Sequence, residues 1–216
     1  IMPHKFVINL DKRTDRWNKY DDHGYTRWSA TSINDIDSSD PIIDKMISYH
    51  NIRHTDQHLA KIGCWLSHTR LLKHIIDNQL NEVLIIEDDA LGVWNEDTSY
   101  LLNDCITYMG GFLVNPTITE KLDRDKLDIY YGLNLVDDTE FKIMTTLAYY
   151  IPTWELAKEL YEQVINQSRY RAIDVMYSHT TIPKAFIYPA VFQEQRIDSD
   201  IRKSKKKFAN VYYEFA

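Results

Sequence analysis

The sequence predicts an α/β fold, a mostly parallel sheet with helices on both faces. Three observations carry this expectation. The apolar runs "KFVINL" and "VLIIEDD" are short and rich in branched residues, as buried strands are. Two stretches, "LAKIGCWLSHTRLLKHIIDNQ" and "TWELAKELYEQVINQ", repeat apolar residues near helical spacing. Strand-like and helix-like segments alternate, with no internal repeat and no dividing linker, so 1–216 reads as one domain.

Taken in order, Lys5 to Leu10 reads as a first buried strand, and "DKRTDRWNKY" as a turn and short helix that Asp11 or Thr14 could cap. Residues 31–56 are polar and read as a loop, with or without a short helix. The clearest helix spans Leu59 to Gln79, with Leu59, Ile62, Leu66, Leu72, Ile75 and Ile76 on its apolar side. Gly63 lies inside it at a cost of roughly 1 kcal/mol relative to Ala, which implies a close backbone approach. After the strand at Val83, residues 92–126 read as mostly helical or looped. Leu127 to Leu135 and Met144 to Ile151 are rich in Tyr, Ile and Thr and read as strands. Thr153 is placed to cap a helix running to Gln167, with Glu155 in its first turn and Leu156, Leu160 and Val164 as its stripe. Lys184 to Phe192 reads as a last strand in which Pro189 marks an edge or a break.

Composition narrows the function classes. A hydrophobic fraction of 44% and an aromatic fraction of 12% fit a globular chain. A net charge of −7 argues against general nucleic-acid binding. No apolar run approaches the roughly 20 residues of a membrane helix, so no transmembrane segment is expected. The opening "IMPHKFVINL" lacks a signal-peptide pattern, and Cys64 and Cys105 form no CxxC motif, so a reduced, cytoplasmic protein is expected. The basic run "IRKSKKKF" reads as a solvated face or an anion contact. With only 6 glycines and neither GxGxxG nor GxxxxGK[ST], a glycine-rich phosphate cradle is not expected. A phosphorylated ligand would need positive charge from elsewhere.

The run Glu87, Asp88, Asp89 closes a buried strand. Ligands of open α/β sheets bind beyond the carboxyl ends of strands. Adjacent carboxylates repel unless a cation compensates, and oxygen ligands suit Mg²⁺ or Mn²⁺. The same acids could also cap a helix or sit on a solvated loop. Ser67 follows Gly63 by four residues, on the same helix face, and His68 follows it. His54 and His58 have HxxxH spacing, a weak zinc signal without a further ligand.

"KFVINLDKRTDRW", "IGCWLSH" and "VLIIEDDA", in this order, resemble glycosyltransferase family 25, which includes lipooligosaccharide and collagen galactosyltransferases. "LDIYYGLN", "TTLAYYIPTWELAKELYEQV", "AIDVMYSH" and "YPAVFQEQRIDSDI" extend the similarity over nearly the whole chain. The resemblance implies a type A glycosyltransferase fold, Rossmann-like, and an inverting transfer of galactose or glucose from a UDP-sugar to a saccharide or hydroxylated protein acceptor. It implies Mn²⁺ or Mg²⁺ held by Asp89 and Glu87, and Asp174 as general base. It places Ile8, Asn9, Leu10, Arg13, Arg16, Ser67, His68, Glu87, Asp88, Gln193, Ser199 and Asp200 around the donor. Tyr149 and Trp154 would stack on sugar or pack in the core, and His179 would be an additional metal ligand. One departure is Lys61, where the family usually has an acid; no acceptor-binding extension is seen. These leave an alternative, a catalytically inactive nucleotide-sugar-binding relative acting as an interaction module.

Overall fold

The computed structural model describes residues 2–37, 39–41, 43–44, 46, 56–114, 128–195 and 213–214. In chain order the elements are β1 (His4–Asn9), α1 (Thr14–Trp17), β2 (Thr26–Ser29), a 3-10 turn (Ile33–Asp35), α2 (Asp56–Asp77), β3 (Val83–Glu87) and β4 (Ala90–Gly92). There follow β5 (Ile106–Val114), β6 (Gly132–Leu135), β7 (Lys142–Ile151), α3 (Trp154–Ile165), α4 (Ile173–Ser178), β8 (Lys184–Tyr188), β9 (Phe192–Glu194) and β10 (Tyr213–Glu214). The main sheet has the order β2-β1-β3-β7-β5-β8-β6, with β10 paired to β5, and β4 and β9 form a separate pair. Strands β1, β2, β3, β5 and β8 run one way; β6, β7 and β10 run against them. The sheet is thus mostly parallel, with β7 reversed at its middle.

The apolar runs behave as a sheet covered on both faces requires. Val83, Leu84, Ile85 and Ile86 of β3 are all fully buried. Val83 and Ile85 pack with Ile62, Trp65, Leu72 and Ile75 of α2, Leu160 and Val164 of α3, and Met176 of α4. Leu84 and Ile86 pack the other way, against Tyr20, Trp94, Leu101 and Phe192. Among the described residues the helix cover is therefore uneven. The three longer helices share one face, while the one-turn α1, the chain around Trp94 and Leu101, and the β4–β9 pair cover the other. No described helix is long and apolar enough to cross a membrane.

Two differences from the sequence reading have local causes. Residues 106–114, expected to be helical or looped, form the nine-residue strand β5 inside the sheet. Its "ITYMGGFLV" has no clean alternation because both faces are covered and Gly110 meets a crossing backbone. A Cβ there would lie 2.4 Å from the Phe192 carbonyl oxygen. The register of β5 against β7 shifts on either side of Gly110. The run Lys184 to Phe192 is not one strand: β8 ends before Pro189, and β9 leaves to pair with β4. Pro189 marks that break.

Gly63 has the close approach that its position implied. A Cβ on it would sit 2.6 Å from the Thr31 carbonyl oxygen. Ser67 Oγ donates to the Gly63 carbonyl at 2.6 Å and accepts from the Thr31 amide at 2.8 Å. The chain leaving β2 is thereby fastened to α2. At α3, Thr153 Oγ1 accepts from the Leu156 amide at 3.2 Å, as an N-cap does.

Candidate active site

Parallel pairing of β1 with β3 sets Ile8 opposite Glu87, so both strands end at one edge of the sheet. There Asn9 Nδ2 donates to Asp88 Oδ2 at 2.7 Å, and Arg16 Nη1 donates to Asp88 Oδ1 at 2.7 Å. Arg27 Nε donates to Asn9 Oδ1 at 2.8 Å and so orients the amide. Asp88 is held by charge-assisted bonds at both oxygens. Arg13 forks onto Asp15 at 3.0 Å through both Nε and Nη2. Ile8 is buried in the core, and the Leu10 carbonyl accepts from the Arg13 amide at 2.8 Å.

Glu87 faces the helix layer. Its Oε1 accepts from Thr146 Oγ1 at 2.5 Å and lies 3.2 Å from His68 Nε2. The His68 ring is fully buried, with Nδ1 2.7 Å from the Tyr149 hydroxyl, which lies 3.2 Å from the Tyr177 hydroxyl. Cys64 stands one turn before His68 on α2. The ligand atoms of Cys64, His68 and Glu87 all lie within 4.8 Å of one another.

Asp89 is the electrostatic outlier. Among the described residues, its Oδ1 is buried with no hydrogen-bond partner. Burial first, then the charges of Glu87, Glu194 and Asp88, push its carboxyl up to about 8, with Arg16 acting in the opposite direction. A buried carboxylate oxygen without a donor is costly, and a divalent cation with oxygen ligands removes that cost. The residues therefore fit the cation that the resemblance implies. Glu194, absent from the sequence reading, arrives through β9, where it pairs opposite Ala90.

Asp174 opens α4 and is fixed by the backbone. Its Oδ1 accepts from the Val175 amide at 2.8 Å and its Oδ2 from the Thr145 amide at 3.2 Å. Thr145 has φ +77°, a conformation that strains a β-branched residue. That turn of β7 aims the Thr145 amide at Asp174 while Thr146 reaches Glu87. The sequence reading passed over both threonines, though "TT" in a strand otherwise apolar was the available signal.

Other residues lie elsewhere. Tyr149 is fully buried among core residues, so it orients His68 and cannot stack on a sugar. Trp154 follows the end of β7 that pairs with the start of β3, at the sheet edge opposite the carboxylates. Its amide donates to Asn81 Oδ1 at 3.1 Å. Gln193 is exposed on β9, opposite Leu91. Ser67 serves the α2 contact described above. His179 ends α4 with Nδ1 2.7 Å from the Val175 carbonyl oxygen and does not join the Cys64–His68–Glu87 group. Lys61 is exposed on α2, and His58 is partly buried there. His54, Ser199, Asp200 and the basic run 201–208 lie outside the described residues.

The family model described as glycosyltransferase family 25 (LPS biosynthesis protein) matches residues 2–177. That span carries Asn9, Arg16, His68, the three consecutive acids and Asp174. No curated protein matches the chain.

Proposed function

The chain belongs to glycosyltransferase family 25, and from that premise we propose an inverting, metal-dependent transfer of galactose or glucose from a UDP-sugar to a saccharide or hydroxylated protein acceptor. The fold that goes with this reading is the type A glycosyltransferase fold. The buried Oδ1 of Asp89, without a partner among the described residues, is the observation that carries it.

Asp89 and Glu87 would hold Mn²⁺ or Mg²⁺ at the edge where β1 and β3 end. Such a cation supplies Lewis-acid charge to a leaving diphosphate. Arg16 and Asn9 keep Asp88 in place, so the acidic strip has one conformation when the donor arrives. Asp174 receives the acceptor hydroxyl proton. The acceptor oxygen forms its bond to the anomeric carbon as the bond from that carbon to the diphosphate oxygen breaks. Two backbone amides hold Asp174 and orient its carboxylate.

The inactive-relative reading rests on Lys61, which stands exposed on α2, and on the short length of the chain. The test is a donor screen with UDP, UDP-galactose and UDP-glucose, with and without Mn²⁺, read by thermal shift and by product analysis. The expected result is Mn²⁺-dependent stabilisation and cleavage at the sugar carbon. Full transfer by Asp89→Ala in the presence of chelator would overturn the mechanism. Cleavage between the phosphates would overturn the reaction class.

A further inference from the structure

We propose that Cys64, His68 and Glu87 form a second cation site, selective for a thiophilic divalent metal of the zinc class, behind the oxygen-lined acids. The donor set is one thiolate, one imidazole and one carboxylate, a combination that suits zinc over Mg²⁺ or Mn²⁺. Cys64 and His68 are four residues apart on α2, which puts both on one face of the helix. Glu87 comes to that face from the end of β3. All three ligand atoms lie within 4.8 Å of one another.

The finer geometry agrees. Nitrogen and oxygen ligands each about 2.1 Å from a tetrahedral zinc are about 3.4 Å apart. His68 Nε2 and Glu87 Oε1 are 3.2 Å apart. The other ring nitrogen is held by the Tyr149 hydroxyl at 2.7 Å, the outer bond that fixes the ring of a metal-bound histidine. The same 3.2 Å is hydrogen-bond distance when Nε2 carries the proton; with Nδ1–H donated to Tyr149 instead, the Nε2 lone pair is left for a cation shared with Glu87. Thr146 Oγ1 bonds to the same Glu87 oxygen and steadies it.

Glu87 is shared with the site proposed for the donor cation. Where that reading holds, zinc captured by Cys64 and His68 withdraws Glu87 and lowers transfer. Binding itself does not depend on that reading, and the test keeps the two apart. The intact chain, stripped of metal by chelator, is titrated with Zn²⁺ by calorimetry and with Co²⁺ by absorbance. One equivalent of Co²⁺ should give a thiolate-to-cobalt charge-transfer band. Cys64→Ser should abolish the band and weaken Zn²⁺ binding by at least about tenfold, whereas Cys105→Ser should leave both unchanged. Tyr149→Phe, which keeps the ring and removes the outer hydrogen bond, should weaken Zn²⁺ about tenfold or more. No thiolate band in the wild type, or Zn²⁺ affinity unchanged in Cys64→Ser, overturns the site. Zn²⁺ binding by the wild type with no transferase activity on any donor would leave the site standing and count against the donor reading alone.

Discussion

Arg16 and Asp88, 72 residues apart in sequence, meet at 2.7 Å with side chains only 8% and 12% exposed. The pair is close to buried, so removing Arg16 leaves the Asp88 charge with the neutral Asn9 amide as its described partner. Arg16→Met should destabilise the protein by about 3–5 kcal/mol, as breaking buried ion pairs does. Urea unfolding measures it. The double variant Arg16→Met with Asp88→Asn should recover part of the loss, because no charge is then left alone.

Gly63→Ala sets two effects against each other. Alanine is the better helix former by about 1 kcal/mol. The new Cβ would lie 2.6 Å from the Thr31 carbonyl oxygen, a backbone atom tied through the Thr31 amide to Ser67. Overpacking of this kind costs about 1–3 kcal/mol, so the net change should be destabilising. A rise in thermal midpoint would show that the chain after β2 yields easily.

Asp89→Asn removes a repelled, buried carboxyl while keeping its shape. Without metal the variant should be at least as stable as the wild type. Saturating Mn²⁺ should stabilise the wild type by about 2.7 kcal/mol at a hundredfold excess over its Kd, and the variant by nothing measurable. Thermal shift with and without chelator reads both outcomes.

Asp174→Asn should lower kcat by about 10²- to 10⁴-fold, the range of general-base loss. Donor binding should hold, since Asp174 is anchored to the Val175 and Thr145 amides and not to Asp88 or Asp89. Loss of UDP affinity together with kcat would reassign it from proton transfer to binding.

High pH should unfold this protein cooperatively. Burial raises Tyr25 and Tyr150 to about 12 and pushes Tyr20, Tyr108, Tyr149 and Tyr177 higher still. Above about pH 10 the unfolded chain loses phenolic protons that the folded chain keeps. Fewer protons bound in the unfolded state means that stability falls as pH rises. Lys184, lowered chiefly by its burial, acts oppositely just below 10.5, but it is one group against six. The last part of the tyrosinate absorbance should therefore appear together with the loss of circular dichroism. Ionisation of all 15 tyrosines with the fold intact would contradict the burial of these rings.

Much of the architecture was legible because it is written within short windows. The run Val83 to Ile86 needs apolar neighbours on both faces wherever it lies, and helical spacing marks α2 and α3 without outside help. The break at Pro189 and the tight contact at Gly63 were readable for the same reason, since proline and glycine restrict or free the chain where they stand. β5 was not legible, because Gly110 at its centre answers to the Phe192 backbone, which comes from far along the chain. Trp154 was left between sugar stacking and core packing because an aromatic at a strand end does not reveal which end of the sheet it occupies. That depends on the reversal of β7, and Trp154 packs against the core.

The sequence by itself determined the alternation of strands and helices, the family, and a run of three acids closing a buried strand. It did not distinguish those acids from one another. The tertiary structure did so, giving Asp88 to Arg16 and Asn9, turning Glu87 toward His68 and Thr146, and leaving Asp89 half-buried near Glu194 with one oxygen that no donor among the described residues reaches. Propensity and periodicity act over a few residues. The charge and hydrogen-bond state of a carboxylate depends on groups within a few ångströms, and here α1, α2, β7 and β9 bring them from distant parts of the chain.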